Sequence, residues 1–224
     1  MIYNTYYLDS EFNFIDKLKW YPWVGENYQL SANNKMLVIG ESHYMWEEDG
    51  VEDIINSKYF TRNYIYDIVL RNLKNVKHVS KTHRGFERAF YQVKDVNEIH
   101  ANELWSNVCY QVLVQKTLSG IQERPDYIDF YEGWYVISQL HKYLKFDSCI
   151  VFGVSSYQAL FDMCKESNIN IYHNDIKDPV GNVRAKIVKI ELGGKPVEFI
   201  FIKHPGRYFS WMKWGSFLKK KLTN

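Results

Sequence analysis

Four short apolar runs constrain the fold of this chain more than any other feature of its sequence. Each run is too short for an independent helix, and three are rich in β-branched residues, which is typical of buried strands. The runs are KMLVI at 35–39, LWSNVC at 104–109, SCIVF at 148–152 and VEFIFI at 197–202. Such uninterrupted apolar strands are covered on both faces, as in the parallel sheets of α/β proteins.

Helical patterns lie between these runs. Apolar side chains recur three or four residues apart in three segments, and Pro125 and Ser155 mark the entries to the second and third of them. The segments are NYIYDIVLRNL at 63–73, DYIDFYEGWYVISQLHKYL at 126–144 and SSYQALFDMCKES at 155–167.

A different pattern precedes the last run. Residues 181–200 alternate like strands around Gly193-Gly194, which predicts a hairpin or edge strand leading into the final core strand. We find neither an internal repeat nor a long linker. The sequence therefore predicts one α/β domain over 1–224, a three-layer sandwich with a mainly parallel four-stranded central sheet and helices on both faces.

Positive charge is concentrated in two aromatic-rich segments of a chain whose formal net charge is only +2. Residues 61–95 carry eight Lys/Arg against three acids, and residues 203–221 carry six Lys/Arg and no acid. This distribution is found in proteins that bind polyanions, although solvated helix faces would look the same.

Cysteine usage and the N-terminus favour a reducing cytoplasm. The three cysteines, Cys109, Cys149 and Cys164, are isolated in the sequence, which argues against a disulfide framework, a compact zinc site or an iron–sulfur cluster. The first residues, MIYNTYYLDSEFNF, lack the basic stretch and apolar run of a secretory signal, and no segment has the length of a membrane span. We expect no metal, no cofactor and no membrane partner.

The segments that follow the four predicted strands are rich in chemically active side chains. Ligands of doubly wound sheets bind beyond the carboxyl ends of the strands, so these segments should converge. They contain Glu41, Ser42, His43 and Tyr44 after the first run, Asn107 near the end of the second, Ser155 and Ser156 after the third, and His204 with Arg207 after the fourth.

The first of these loops, GESHY at 40–44, allows four interpretations on its own: a nucleophile site, a metal site, a water-activating site or an ordinary polar loop. A nucleophilic Ser42 with His204 as base lacks the Gly-x-Ser-x-Gly elbow. A metal site formed by Glu41, His43 and His204 has no supporting spacing.

Taken in order, the motifs GESHY, SNV, IVFGVSSYQAL and KHPGRYFSW resemble those of the uracil-DNA glycosylase superfamily. The greatest similarity is to the branch whose first motif reads Gly-Glu-Ala-Pro-Gly. The resemblance covers residues 35 to 210, whereas the first 30 residues and a basic segment at 50–100, which we expect to be a helical insert, have no obvious counterpart.

The resemblance implies a DNA glycosylase that flips a uracil or modified pyrimidine out of DNA and hydrolyses its N-glycosidic bond. No lysine is placed for Schiff-base chemistry, so we expect a monofunctional enzyme that leaves an abasic site. It implies that Glu41 orients water or stabilises the sugar cation with His43 assisting, and that His204 binds the base carbonyl as charge develops. Asn107, Tyr44 and Ser42 would contact the base, and Ser155 and Ser156 a phosphate. Arg207, Tyr208 and Phe209 would contact and wedge the duplex.

Two departures from the family leave the substrate and even the activity open. Ser42 stands where the classical enzymes have Asp or Asn, and His43 replaces the proline of the Gly-Glu-Ala-Pro-Gly branch. These changes favour a modified base, in repair or in attack on foreign DNA. The alternative is a catalytically silent DNA-binding protein with the same fold. In either case we expect DNA as the partner and a monomer.

Overall fold

A seven-stranded mixed sheet forms the centre of the molecule. The computed structural model describes residues 6–30, 34–44, 55–71, 81–120 and 122–222. The strands are β1 (Trp23–Val24), β2 (Met36–Gly40), β3 (His43–Tyr44), β4 (Cys109–Val112), β5 (Thr117–Leu118), β6 (Ser148–Phe152), β7 (Ile171–Val180), β8 (Val183–Leu192) and β9 (Lys195–Ile202). The order in the large sheet is β1-β4-β2-β6-β9-β8-β7, and β3 pairs separately with β5.

The four middle strands, β4-β2-β6-β9, are mutually parallel. They correspond to the predicted parallel sheet, but the prediction of a sheet limited to four strands is wrong. Antiparallel β1 extends one side, and antiparallel β8 and β7 extend the other. Every residue of β2 is buried, because helices cover the middle of the sheet on both faces.

Seven α-helices are present in the described ranges, and they form the two outer layers. They are α1 (Asp9–Phe12), α2 (Phe60–Asn63, continuing as a π-helix over Tyr64–Leu70), α3 (Lys81–Tyr91), α4 (Glu98–Asn107), α5 (Tyr127–Leu144), α6 (Tyr157–Glu166) and α7 (Trp211–Leu222). Side chains of α1, α5 and α6 pack on one face of the sheet, and those of α2, its π-helix, α3, α4 and α7 pack on the other. The prediction of an α/β arrangement with helices on both faces is confirmed.

The predicted strand at 104–109 is wrong. Residues 104–107 form the last turn of α4, which begins at a capping box made by Asn97 and His100 and buries Ala101, Leu104 and Trp105 at helical spacing. The strand begins only at Cys109. Its sequence, CYQV, includes a buried glutamine, Gln111, and therefore lacks the apolar pattern by which the other strands were identified.

Two hairpins build the antiparallel side of the sheet. The predicted hairpin is present, since β8 and β9 are joined through Gly193 and Gly194, both with positive φ, as a tight primed turn requires. The preceding hairpin, β7–β8, has an outer strand with exposed residues at 171–174 and was not predicted. Its turn at Gly181-Asn182 lies beside the carboxyl end of β9, where the Lys203 ammonium donates to the Asn182 side chain at 3.2 Å.

The segment 50–100 is mostly helical where the structure describes it, with non-helical stretches at 57–59 and 92–97, and residues 50–54 and 72–80 of it lie outside the described ranges. Two of its basic side chains are buried in ion pairs. Arg62 pairs with Asp9 at 2.6 Å, and Arg84 pairs with the fully buried Glu87. Its excess charge is therefore not simply a solvated surface.

None of the helices that the structure describes is long and apolar enough to cross a membrane. Cys109, Cys149 and Cys164 are unpaired and fully buried, where they pack as small apolar side chains.

Candidate active site

Three neighbouring parallel strands, β2, β6 and β9, bring their carboxyl ends to one edge of the sheet. The segments that follow them carry Glu41, Ser155 and His204, as the sequence predicts. This edge is the usual ligand-binding position in open α/β sheets.

Glu41 is held in a half-enclosed position at this edge, with its side chain 14% exposed. The Ser155 hydroxyl donates to one carboxylate oxygen at 3.3 Å, and the Arg124 guanidinium lies 3.9 Å from the other. Burial raises the pKa of Glu41, and the Ser155 hydrogen bond and the Arg124 charge partly oppose that shift. The result is a carboxylate that binds a proton more readily than an exposed glutamate does, a property of general bases.

Gly153 allows the end of β6 to approach this carboxylate. It has a φ of +95°, and a Cβ at this position would lie 3.3 Å from Glu41 Oε2. A side chain here would be strained by the backbone and would press on the catalytic candidate.

His204 lies at the same edge of the sheet as Glu41, in the segment that follows β9. Its ring packs edge-on to Phe152, with 6.4 Å between ring centroids, and folds back over Gly206. Burial and the nearby Arg124 charge lower the pKa of His204 to about 4. The imidazole is therefore neutral near pH 7, with one N–H donor and one acceptor nitrogen.

Arg124 links the two groups and was not selected from the sequence. Its charge acts on the pKa of both Glu41 and His204, and its side chain is 72% exposed. The sequence used Arg124-Pro125 only as the start of a helix. An arginine that precedes a helix entry carries no local signal of its target, because its position beside Glu41 arises only from tertiary folding.

The structure does not bring His43 to this edge. Its side chain is buried against Trp20, Phe60 and Tyr64, and Nε2 lies 3.0 Å from the Thr61 hydroxyl. Burial lowers the pKa of His43 to about 3. The prediction that His43 assists catalysis is therefore replaced by a packing role, because strand β3 directs this ring into the core.

The two neighbours of His43 differ from it. The Ser42 hydroxyl is buried and has no hydrogen-bond partner among the residues that the structure describes. Tyr44 is partly exposed on β3, which pairs with Thr117–Leu118. Both remain beside the loop that carries Glu41, as the sequence predicts.

Asn107 lies at the opposite edge of the sheet. It ends α4 just before β4, and because β4 runs parallel to β2, residues preceding Cys109 lie where β2 begins. Its exposed side-chain amide donates to the Glu103 carbonyl at 2.7 Å. The prediction that Asn107 lies near the end of the second strand is wrong, and its contact with a base stays a prediction.

Gln115 is the side-chain amide that follows β4 at the correct edge, but local backbone groups engage it. Its amide donates to the Val112 carbonyl at 2.7 Å, and its oxygen accepts from the Lys19 backbone N–H at 3.1 Å. Both polar atoms of the Gln115 side chain are therefore engaged within the protein.

The two serines after β6 are in different environments. Ser155 is exposed and donates to Glu41, whereas Ser156 is buried and its carbonyl accepts from Trp134 Nε1 at 2.8 Å. Ser156 precedes α6 without capping it through its side chain. A phosphate near this helix can reach Ser155, but the Ser156 side chain is not available to it.

The loop after His204 separates its two aromatic residues. Tyr208 is 78% exposed, has a φ of +60° and lies under the Arg207 guanidinium at 4.8 Å. Phe209 is turned inward and stacks on Trp214, with 6.1 Å between centroids. The Lys203 ammonium donates to the Tyr208 carbonyl at 3.0 Å and supports this bend. Tyr208 and Arg207 are therefore exposed, and Phe209 anchors the loop.

No group of three or more His, Cys, Asp or Glu side chains in the described ranges is arranged to hold a metal ion.

The chain matches no protein-family model, and no curated protein matches it.

Proposed function

We propose that the chain is a DNA glycosylase that hydrolyses the N-glycosidic bond of a uracil or a modified pyrimidine and leaves an abasic site. The observation that carries this proposal is that Glu41 and His204 follow parallel strands at the same edge of the sheet, where the Arg124 guanidinium lies 3.9 Å from Glu41 and its charge also acts on His204. The resemblance of the GESHY and KHPGRYFSW motifs to glycosylase motifs supports it.

The two groups suit the two charges that develop in this reaction. The sugar becomes cationic as the C1′–N bond breaks, and the base leaves with the bonding electrons as an anion. Glu41 stabilises the sugar cation and accepts a proton from the water that adds to C1′. A carboxylate with a raised pKa is suited to that proton transfer.

His204 stabilises the departing base. A neutral imidazole N–H donates to the base carbonyl oxygen, and the donation strengthens as negative charge accumulates there. Arg124 contributes a positive charge to the same edge, which favours an anion over a neutral base. The low pKa of His204 keeps its second nitrogen unprotonated, so the ring acts as a hydrogen-bond donor rather than as a cation.

Tyr208 and Arg207 are placed to hold an opened duplex. An exposed aromatic side chain with positive φ is a strained feature of the kind that clusters at functional sites. A ring in this position can fill the space of a flipped base, where base–aromatic stacking contributes about 1–3 kcal/mol. Arg207 adds a phosphate contact beside it.

The base specificity differs from that implied by the resemblance. Asn107 lies at the far edge of the sheet, and the Ser42 hydroxyl, next to Glu41 in the chain, is buried without a hydrogen-bond partner among the described residues. These two features favour a substrate with a different edge from that of plain uracil, and we propose a modified pyrimidine as the first class to test.

The experiment uses end-labelled duplexes that carry uracil or a panel of modified pyrimidines, followed by alkaline cleavage of abasic sites. We expect breaks at one modified position, and we expect Glu41→Gln and His204→Ala each to lower the single-turnover rate by about 10²-fold or more. Glu132→Gln, at a surface ion pair with Lys17, and His173→Ala, on exposed β7, are matched controls that should retain the wild-type rate.

A catalytically silent DNA-binding protein is the second candidate function. It is favoured by Ser42 in place of the classical acid and by the absence of Asn107 from this edge. The same assay separates the two functions, because retention of every duplex without any break supports the second and refutes the first.

A further inference from the structure

We infer that α3, which lies in the segment without a family counterpart, positions His204, and that Gly85 is the positioning residue through which it acts. This inference deepens the proposed function and rests on it. It gives the segment 50–100 a role inside the active site rather than that of an added DNA-binding surface.

Gly85 is the point at which α3 meets the His204 loop. It lies in the middle of the helix, and a Cβ at this position would overlap the carbonyl oxygen of Pro205 and lie 3.4 Å from its carbonyl carbon. Glycine is a poor residue for a helix interior, and alanine would form the helix better. The close approach of the Pro205 backbone explains why this position needs a residue without a side chain.

The first turn of α3 lies beside the His204 imidazole. The His83 ring and the His204 ring both pack edge-on to Phe152, each with 6.4 Å between centroids. A Cβ on Gly206 would lie 3.0 Å from His204 Nδ1 and 3.8 Å from the Thr82 hydroxyl. His204 is thus held between its own loop, Phe152 and the beginning of α3.

The far side of α3 is fixed to the rest of the fold. A Cβ on Gly215 of α7 would lie 2.6 Å from the Ala89 carbonyl, so the two helices touch closely. Trp105 of α4 donates its indole N–H to the buried Glu87 at 2.7 Å. Because α4 and α7 hold α3 on its side away from the His204 loop, a side chain added at Gly85 must displace that loop rather than the helix.

The size of the effect follows from this geometry. Van der Waals contact requires roughly 3.5 Å, so the Pro205 carbonyl has to retreat by about 1 Å. A misplacement of about 1 Å at a catalytic group can lower a rate by about 10²-fold. We therefore expect Gly85→Ala to lower the single-turnover excision rate by about 10- to 100-fold while duplex affinity changes less than twofold.

Gly120→Ala is the matched control, because a Cβ at Gly120 meets no atom within 4 Å. A double-mutant cycle then tests whether Gly85 acts through His204. In a His204→Ala background, Gly85→Ala should have no further effect on the residual rate. A full 10-fold loss in that background, or a wild-type rate in the single variant, overturns the inference.

His83→Leu provides a second test if Gly85→Ala does not fold. It removes the ring that packs on Phe152 together with a buried Nε2 that has no partner in the described residues, so folding should tolerate the change. We expect a lowered excision rate that again disappears in the His204→Ala background. An unchanged rate contradicts the positioning role.

The imidazole NMR signals distinguish failure of this inference from failure of the proposed function. The His204 signal is identified by its loss in His204→Ala. Gly85→Ala should shift it and Gly120→Ala should not, whether or not any base is excised. An unshifted signal in a folded Gly85→Ala protein refutes the positioning of His204 by α3 independently of activity.

Discussion

His43 should make the stability of the fold strongly dependent on pH, and the size of that dependence can be worked out from its burial. The folded chain holds this imidazole neutral, with its pKa lowered by burial from 6.5 to about 3. The unfolded chain binds a proton there below pH 6.5, and the folded chain binds none until pH 3. Stability is therefore full above pH 6.5 and is lost as the pH falls toward 3.

One such proton corresponds to about 1.4 kcal/mol of unfolding free energy per pH unit, and the whole shift corresponds to about 4–5 kcal/mol. His43→Gln removes this titration. Between pH 6 and pH 4.5, the unfolding free energy of the variant should therefore fall less steeply than that of the wild type, and the two slopes should differ by about 1.4 kcal/mol per pH unit. The variant will be less stable at pH 7.5, because the ring contacts with Trp20, Phe60 and Tyr64 are lost.

Urea unfolding measured at half-unit steps from pH 7.5 to 4.5 gives the slope of unfolding free energy against pH for the wild type and for His43→Gln. The control His173→Gln, on the exposed outer strand β7, should retain the wild-type slope. Equal slopes for wild type and His43→Gln would refute the assignment of His43 to the core as a neutral ring.

Three further outcomes follow from the structure. Glu87→Ala leaves the Arg84 charge buried without its partner and should lower the unfolding free energy by about 3–5 kcal/mol in urea titrations at pH 7. Tyr208→Gly relieves the positive-φ backbone and should raise stability by about 1 kcal/mol, while weakening binding of a duplex with a flipped base by about 1–3 kcal/mol in anisotropy titrations. Arg124→Ala removes a charge that lowers the pKa of Glu41 and His204, so both pKa values should rise and the acidic limb of the rate–pH profile should move to higher pH.

The order of the fold was accessible from the sequence because the middle strands are continuous apolar runs separated by periodic helices. The second strand was placed too early because α4 runs directly into β4 and Gln111 interrupts the apolar pattern. The outer strand β7 was missed because an edge strand in contact with water has no apolar run to detect.

The sequence predicted the location of a side chain correctly where that location follows from the position of the residue after a strand. Glu41 and His204 satisfy that rule because the strands before them, β2 and β9, both run parallel to β6, which lies between them. The same rule failed for Asn107 because the second strand was predicted to begin too early. It failed for His43 because the direction in which a side chain points after a strand depends on the tertiary fold. Arg124 could not be found by this rule, since the strand before it, β5, is only two residues long and belongs to the separate two-stranded sheet.

The release of free base from DNA tests the central claim most directly. Duplexes containing uracil or modified pyrimidines are incubated with wild type, Glu41→Gln and His204→Ala, and the solution is analysed by mass spectrometry for free bases. We predict one modified pyrimidine released by the wild type, at a rate at least about 10²-fold lower in either variant. Binding of the duplexes without release of any base, or release that both variants retain at the wild-type rate, would contradict the assignment.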